Sequence, residues 1–193
     1  GCALVEVSDL ATQDSCEAII QTLQNYSTRG RGIKALALHV EGIPCPASLQ
    51  CHAIRTGAFI LGIRSTGFPC IGSACGKLSG PSWGLFLASD YRVAAQDATF
   101  MTPIWGPPEC LPDLLGPSVA THLCLSHGPM TALSMLEMGV VQQAQPNRDA
   151  AQRSASEFCK RTANFPGIAS RQTMCLMSPD VEKYALSFAK FGK

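Results

Sequence analysis

Apolar positions along the chain fall into short blocks punctuated by Gly and Pro, and the blocks alternate between strand-like and helix-like spacing. Ala3 to Val7 reads as a short strand. Asp14 followed by Cys16, Ala18, Ile19, Ile20 and Leu23 has the pattern of an acid-capped amphipathic helix ending near Tyr26, where STRGRG breaks it. Ile33 to Val40, IKALALHV, is almost continuously apolar, as a parallel strand buried on both faces is, and it runs out into EGIPCPAS. Leu49 to Ser65 predicts a helix, weakened by Gly57 and Gly62 by about 1 kcal/mol each relative to Ala. Pro69 to Ala74 is a strand and Trp83 to Ala88 a short helix, while Tyr91 to Ala95 and Thr99 to Met101 are strands flanking Gln96-Asp97. From Gly106 to Gly116-Pro117 the chain is rich in Pro and Gly. Two helices are then expected around Val119, Leu123, Cys124 and around Ala132, Leu133, Leu136, and three more over Ala150 to Thr162, Ile168 to Met177 and Val181 to Phe191. Strands alternating with helices predict an α/β domain with a parallel sheet and right-handed crossovers.

The stretch Cys75 to Asp90, CGKLSGPSWGLFLASD, compresses a strand end, a Gly-rich turn, a helix and the approach to a second strand. A turn of this kind can present backbone N–H groups to an anion or a polarised carbonyl, which makes it the first place to look for chemistry.

Composition narrows the partners. Hydrophobic residues make up 46 % and charged residues 15 % of the 193-residue chain, so much of the surface is expected to be covered, in an oligomer or as a subunit of a complex. A net charge of +1 without any run of Lys or Arg argues against nucleic acid as a partner. No apolar run reaches the roughly 20 residues needed to span a bilayer, so a soluble protein is expected. The sequence opens at Gly1 without Met or a leader pattern, leaving open a removed targeting peptide, as for an organelle matrix or stroma, or a missing start. Ten cysteines without a C-x-x-C pair read as reduced thiols in a reducing compartment. Cys45/Cys51 and Cys70/Cys75 are the nearest pairs for the disulfide alternative, and a metal site is the weakest reading.

Cys75 to Ala95 resembles the central signature of the crotonase (enoyl-CoA hydratase/isomerase) superfamily, which has an apolar strand, a Gly, three residues, a Gly triplet, a short helix and an Asp followed by Arg. Gly76 matches the first Gly, Gly80 opens the triplet, and Asp90-Tyr91-Arg92-Val93-Ala94 matches the strand that follows. ATFMTP and LPDLLG resemble two further motifs of that family, and IKALALHVEG with PCPASL resembles its first oxyanion strand and loop, with Ala47 at the donor position. The resemblance covers most of Ile33 to Gly128. It implies a crotonase-like spiral of ββα repeats over residues 1–145 and a helical C-terminal segment, 146–193, that serves oligomerisation as a trimer. It also implies an acyl thioester held between two backbone N–H groups, so that no cofactor is expected and a CoA thioester would enter only as substrate.

Departures from the pattern fall on the chemistry. The middle Gly of the triplet, second oxyanion donor of the family, corresponds to Pro81, which has no N–H; losing one such donor costs about 100- to 1000-fold in rate. The helix position of one hydratase Glu corresponds to Gly84 and that of the other to Ile104, leaving Glu109 and Asp113 as carboxylates that a shifted loop would have to deliver. The hairpin near Asp9 to Asp14 and the segment MTALSMLEMGVVQQ are shortened relative to the family, which puts the outer wall of the acyl-CoA pocket in doubt.

The remaining candidates each have a plain reading beside the functional one. Lys77 is a pocket base or phosphate ligand, or simply a solvated charge. His39, His52, His122 and His127 are general acids or structural histidines, since no Ser or Cys is spaced to show a triad with them. Ser79 and Ser82 cap the helix at Trp83, or replace the lost amide with a hydroxyl. Trp83, Trp105, Phe86 and Phe100 fill the pocket or form an interface, the filled pocket being preferred beside Pro81. Two functions stay open: a structural or accessory subunit with a degenerate site, or an acyl-CoA or acyl-carrier-protein hydratase, isomerase or decarboxylase that works from the Ala47 N–H with Gly80, a Ser hydroxyl and Lys77 or a His.

Overall fold

The computed structural model describes residues 1–7, 32–42, 66–101, 115–126 and 128–165, together with 18–19, 21–22, 25, 57, 60, 62–64 and 112. Its main sheet has strands β1 (Cys2–Val7), β2 (Ala35–Glu41), β3 (Cys70–Cys75), β5 (Tyr91–Ala95) and β8 (Gln143–Gln145) in the order β1-β2-β3-β5-β8. All its pairings are parallel, as the apolar runs predict. A second sheet is built from β4 (Lys77–Leu78), β6 (Thr99–Phe100) and β7 (Met130–Thr131), with β4 parallel and β7 antiparallel to β6. The helices described from end to end are α1 (Pro81–Leu87), α2 (Pro117–Leu125), α3 (Ala132–Glu137) and α4 (Arg148–Ala163).

Side-chain alternation along β2 and β3 divides the protein into two cores. Leu36, Leu38, Val40, Cys70 and Ala74 join Trp83, Leu85 and Phe86 of α1 on one face, while Ala35, Ala37, Ile71 and Cys75 meet Ala151, Ala155, Cys159 and Ala163 of α4 on the other. Small residues every fourth position give α4 a flat stripe that lies close on the strands. Asn147 caps this helix, its side-chain oxygen accepting from the Ala150 N–H at 2.9 Å, and Lys160 and Arg161 sit in the last turn, where cations suit the helix dipole.

Asp90 and Arg92 fasten α1 to the sheet. The Asp90 carboxylate accepts from the Cys70 N–H at 2.8 Å, while its own N–H donates to the Cys70 carbonyl at 2.8 Å. Arg92 is buried; Nε donates to the Val140 carbonyl at 2.6 Å, and Nη1 donates to the carbonyls of Leu87 and Ser89 at 3.1 and 2.7 Å. One guanidinium thus satisfies carbonyls at the end of α1 and at the approach to β8. The packing of α1 on β3 is close enough that a Cβ at Gly72 would lie 2.5 Å from Ser89 Oγ.

Some expectations hold, one is refined and others fall outside the described residues. The stretch MTALSMLEMGVVQQ carries β7 as well as α3 and runs into β8, because Gln142 and Gln145 join the network by backbone and amide bonds instead of apolar burial. Cys70 and Cys75 are both free and buried. They stand five residues apart on one extended strand, about 16 Å at 3.3 Å per residue, far beyond disulfide reach. Cys45 and Cys51 lie outside the described residues, as do the helices expected over Ile168 to Met177 and Val181 to Phe191. The helix expected over Leu49 to Ser65 is described at Gly57, Ile60 and 62–64, all helical. Among the described residues no helix is long and apolar enough to cross a membrane.

Replacing Arg92 by Met strands three buried carbonyls at once, so Arg92→Met is expected to cost about 2 to 4 kcal/mol of stability, measured by urea unfolding. Gly72→Ala should destabilise as well, through the clash with Ser89.

Candidate functional site

The parallel strands β2 and β3 deliver the two candidate segments side by side. Gly42, just past β2, donates its N–H to the Cys75 carbonyl at 3.1 Å, and a Cβ at this position would lie 2.3 Å from the Lys77 carbonyl oxygen, so only Gly fits. The chain past β3 turns at Gly76 (φ 71°), pairs Lys77–Leu78 with Thr99–Phe100, and turns again at Gly80 (φ 55°, ψ −125°) into α1. Placing a candidate site at the carboxyl ends of adjacent parallel strands follows the general rule for α/β sheets.

At the turn itself the donors are few. Pro81 occupies the first position of α1 and offers no N–H, and the Gly84 N–H is already donated to the Gly80 carbonyl at 3.1 Å. The helix has Gly80 as N-cap with no side-chain cap bond, so the capping role expected of Ser79 and Ser82 is not what they do. Ser82 lies inside the first turn, fully buried, where its hydroxyl donates to the Ser79 carbonyl at 2.9 Å and accepts from the Ser79 N–H at 3.2 Å. The positive φ of Gly80 turns the chain back over the helix start, which brings the Ser79 backbone within reach of that hydroxyl. Its proton is therefore committed to a neighbouring carbonyl.

Lys77 is exposed at the head of β4, and Gly84 is half-buried on α1. Trp83, Phe86 and Phe100 form a buried aromatic cluster, with ring centroids 4.8 to 6.2 Å apart; they fill the interior and present no exposed interface. Within that cluster the Trp83 indole N–H has no hydrogen-bond partner among the described residues. Ala47, His52, Ile104, Trp105, Glu109, Asp113 and His127 lie outside the described residues, and His122 is exposed on α2. Among the described residues no group of three or more His, Cys, Asp or Glu could hold a metal ion.

His39 has a different setting from the one its sequence neighbours suggest. It is buried on the α4 face of β2, opposite Ser73 in register, with Ser73 Oγ 2.5 Å from Nδ1 and Ser156 Oγ of α4 3.5 Å from Nε2. Burial pushes the imidazole below its ordinary range; Glu6 pulls it up and Arg148 adds to the lowering. Cys70, fully enclosed on the other face and near Asp90, is pushed up to about 12 and stays a thiol.

No protein-family model and no curated protein matches the sequence. Solved structures do. ThnE from S. clavuligerus shares 15 % identity over 99 % of this chain and 94 % of its own, at a TM-score of 0.77. An enoyl-CoA hydratase from Bacillus halodurans shares 15 % over 100 % and 92 %, at 0.71. The fold is crotonase-like. An enoyl-CoA hydratase/isomerase from Pseudoalteromonas atlantica agrees, with 15 % identity, 98 % and 87 % coverage and a TM-score of 0.71. The spiral α/β architecture that the motif pattern implied is thus matched in three dimensions at an identity where sequence alone carries little.

A lowered His39 makes folding sensitive to acid. The unfolded chain takes up this proton as the pH falls through about 6.5, while the folded protein resists it until a lower pH. Stability from this group is therefore complete above about pH 6.5 and lost on acidification towards the folded value. Its slope is at most about 1.4 kcal/mol per pH unit. Urea midpoints measured against pH are expected to show this slope in the native protein and to lose it in His39→Gln.

Proposed function

We propose that the chain is a divergent crotonase-superfamily protein whose acyl-thioester site is degenerate and which serves as a structural or accessory subunit of an oligomer or larger assembly. The start of α1 carries this reading: Pro81 removes the N–H that the resemblance assigns to the second oxyanion donor, and of the two hydroxyls that could replace it that of Ser82 is spent on the Ser79 backbone. Gly84 brings no carboxylate to the place where hydratases carry one. The low proportion of charged residues supports a covered surface.

One observation favours a second reading, an acyl-CoA or acyl-carrier-protein hydratase, isomerase or decarboxylase. The buried Trp83 N–H without a described partner is a donor that a bound polar group would satisfy, since buried indoles normally find one. Under that reading the Ala47 N–H and Lys77 supply the remaining chemistry.

Calorimetric titration with CoA, acetyl-CoA and a longer acyl-CoA separates the two. The accessory-subunit reading expects no binding at millimolar ligand, and one ligand per chain would overturn it in this form. A Pro81→Gly, Gly84→Glu double replacement is expected to bring back measurable water addition to an enoyl thioester only if the rest of the oxyanion geometry is intact.

A further inference from the structure

The sheet face turned towards α4 holds polar groups that the acyl-thioester reading leaves unused. His39 and Ser73 lie opposite each other on neighbouring strands, 5 % and 2 % exposed, with the imidazole Nδ1 and the hydroxyl oxygen 2.5 Å apart. They line a small cavity of about 20 Å³ together with Glu6, Glu41, Arg148 and Gln152. An open groove of about 490 Å³ shares Glu6, His39 and Gln152 with that cavity and continues along α4 past Ser156. His39 therefore lies on the wall of a groove open to the surface, and Ser73 lines the small cavity that adjoins it.

The hydrogen bonding fixes what each group can do. With Ser73 donating to Nδ1, the imidazole carries its proton on Nε2, which faces Ser156 Oγ at 3.5 Å. A hydroxyl donating to a neutral imidazole whose other nitrogen is held by a third group is the arrangement that activates a serine. Arg148, paired to Glu41 at 3.0 Å, is the one permanent cation among the described residues that line the cavity, which Glu6 and Glu41 line as well.

We propose that Ser73 is a nucleophile activated by His39, in a site on the opposite sheet face from α1, and that it accepts the acyl group of a small ester or thioester. Ser73 Oγ bonds to the carbonyl carbon while its proton passes to His39 Nδ1. The bond from that carbon to the leaving alkoxide or thiolate then breaks, and the leaving group takes the proton from His39. The product is acyl-Ser73 with the alcohol or thiol released. The cavity admits the carbonyl of a short acyl unit and the groove takes the remainder.

The test treats the full chain with p-nitrophenyl acetate and with a small alkyl fluorophosphonate, followed by intact mass and peptide mapping. One adduct on Ser73 is expected, absent in Ser73→Ala and formed about 100-fold or more slowly in His39→Gln of native circular dichroism. In the unaltered protein the labelling rate should fall as the pH is lowered from about 8 to about 5, as His39 takes up a proton. The titratable and charged groups that share the cavity or the groove with His39 are Glu6 from β1, Glu41 from its own strand, Cys75 from β3, and Arg148, Asp149, Arg153, Glu157 and Lys160 from α4, and Glu6→Gln should move that fall to lower pH. A purely structural pair predicts no adduct on Ser73, and that result overturns the proposal. So does labelling that ignores both His39 and pH. Should His39→Gln fail to fold, the pH profile of the unaltered protein decides.

Discussion

A single buried guanidinium holds the working parts of this fold in place. Arg92 projects from β5 beneath α1 and gathers the carbonyls of Leu87, Ser89 and Val140. Helix α1 is only seven residues long and carries no side-chain N-cap, so it has little intrinsic stability and depends on tertiary contacts for its position. Asp90 completes the arrangement by pairing both to the Cys70 backbone and to Arg64 at 3.6 Å. The Asp-x-Arg part of the signature is therefore architecture: it ties the C-terminal end of α1 to β3 and to the approach to β8.

The two cores are likewise independent of the residues at the turn. The interior on the α1 face is closed by Trp83, Phe86 and Phe100, and the interior on the α4 face by a stripe of alanines and Cys159, with β2 and β3 as their common wall. None of those residues needs an N–H at position 81 or a carboxylate at position 84. Substitutions at the turn therefore leave both cores complete, and the polar pair His39 and Ser73 occupies a part of the sheet that the turn never touches.

Legibility in the sequence follows the same line. The strands β2, β3 and β5 and the short helix α1 were visible as nearly continuous apolar runs, since they are buried on both sides, and α4 through its periodic stripe of small residues. Strand β8, Gln-Ala-Gln, was not, since what holds it is backbone pairing to β5, with the preceding Gln142 amide accepting from the Arg92 N–H. That position 81 offers no N–H and position 84 no carboxylate could be read directly from the residue types. The fate of Ser82 could not, because it depends on the positive φ of Gly80, which folds the Ser79 backbone back over the helix start. The pairing of His39 with Ser73 had no local signal: the residues are 34 apart, and only the register between β2 and β3 brings them together.

Pro81 has a consequence for the stability of the turn as well as for its chemistry. A proline at the first position of a helix has its backbone angle already set, so it restricts the unfolded chain without straining the folded one, a gain of about 0.4 to 1 kcal/mol. A Pro81→Gly replacement would add an N–H and surrender that gain in the same step. The residue that opens α1 without a donor is thus also one that steadies a short helix with no side-chain cap.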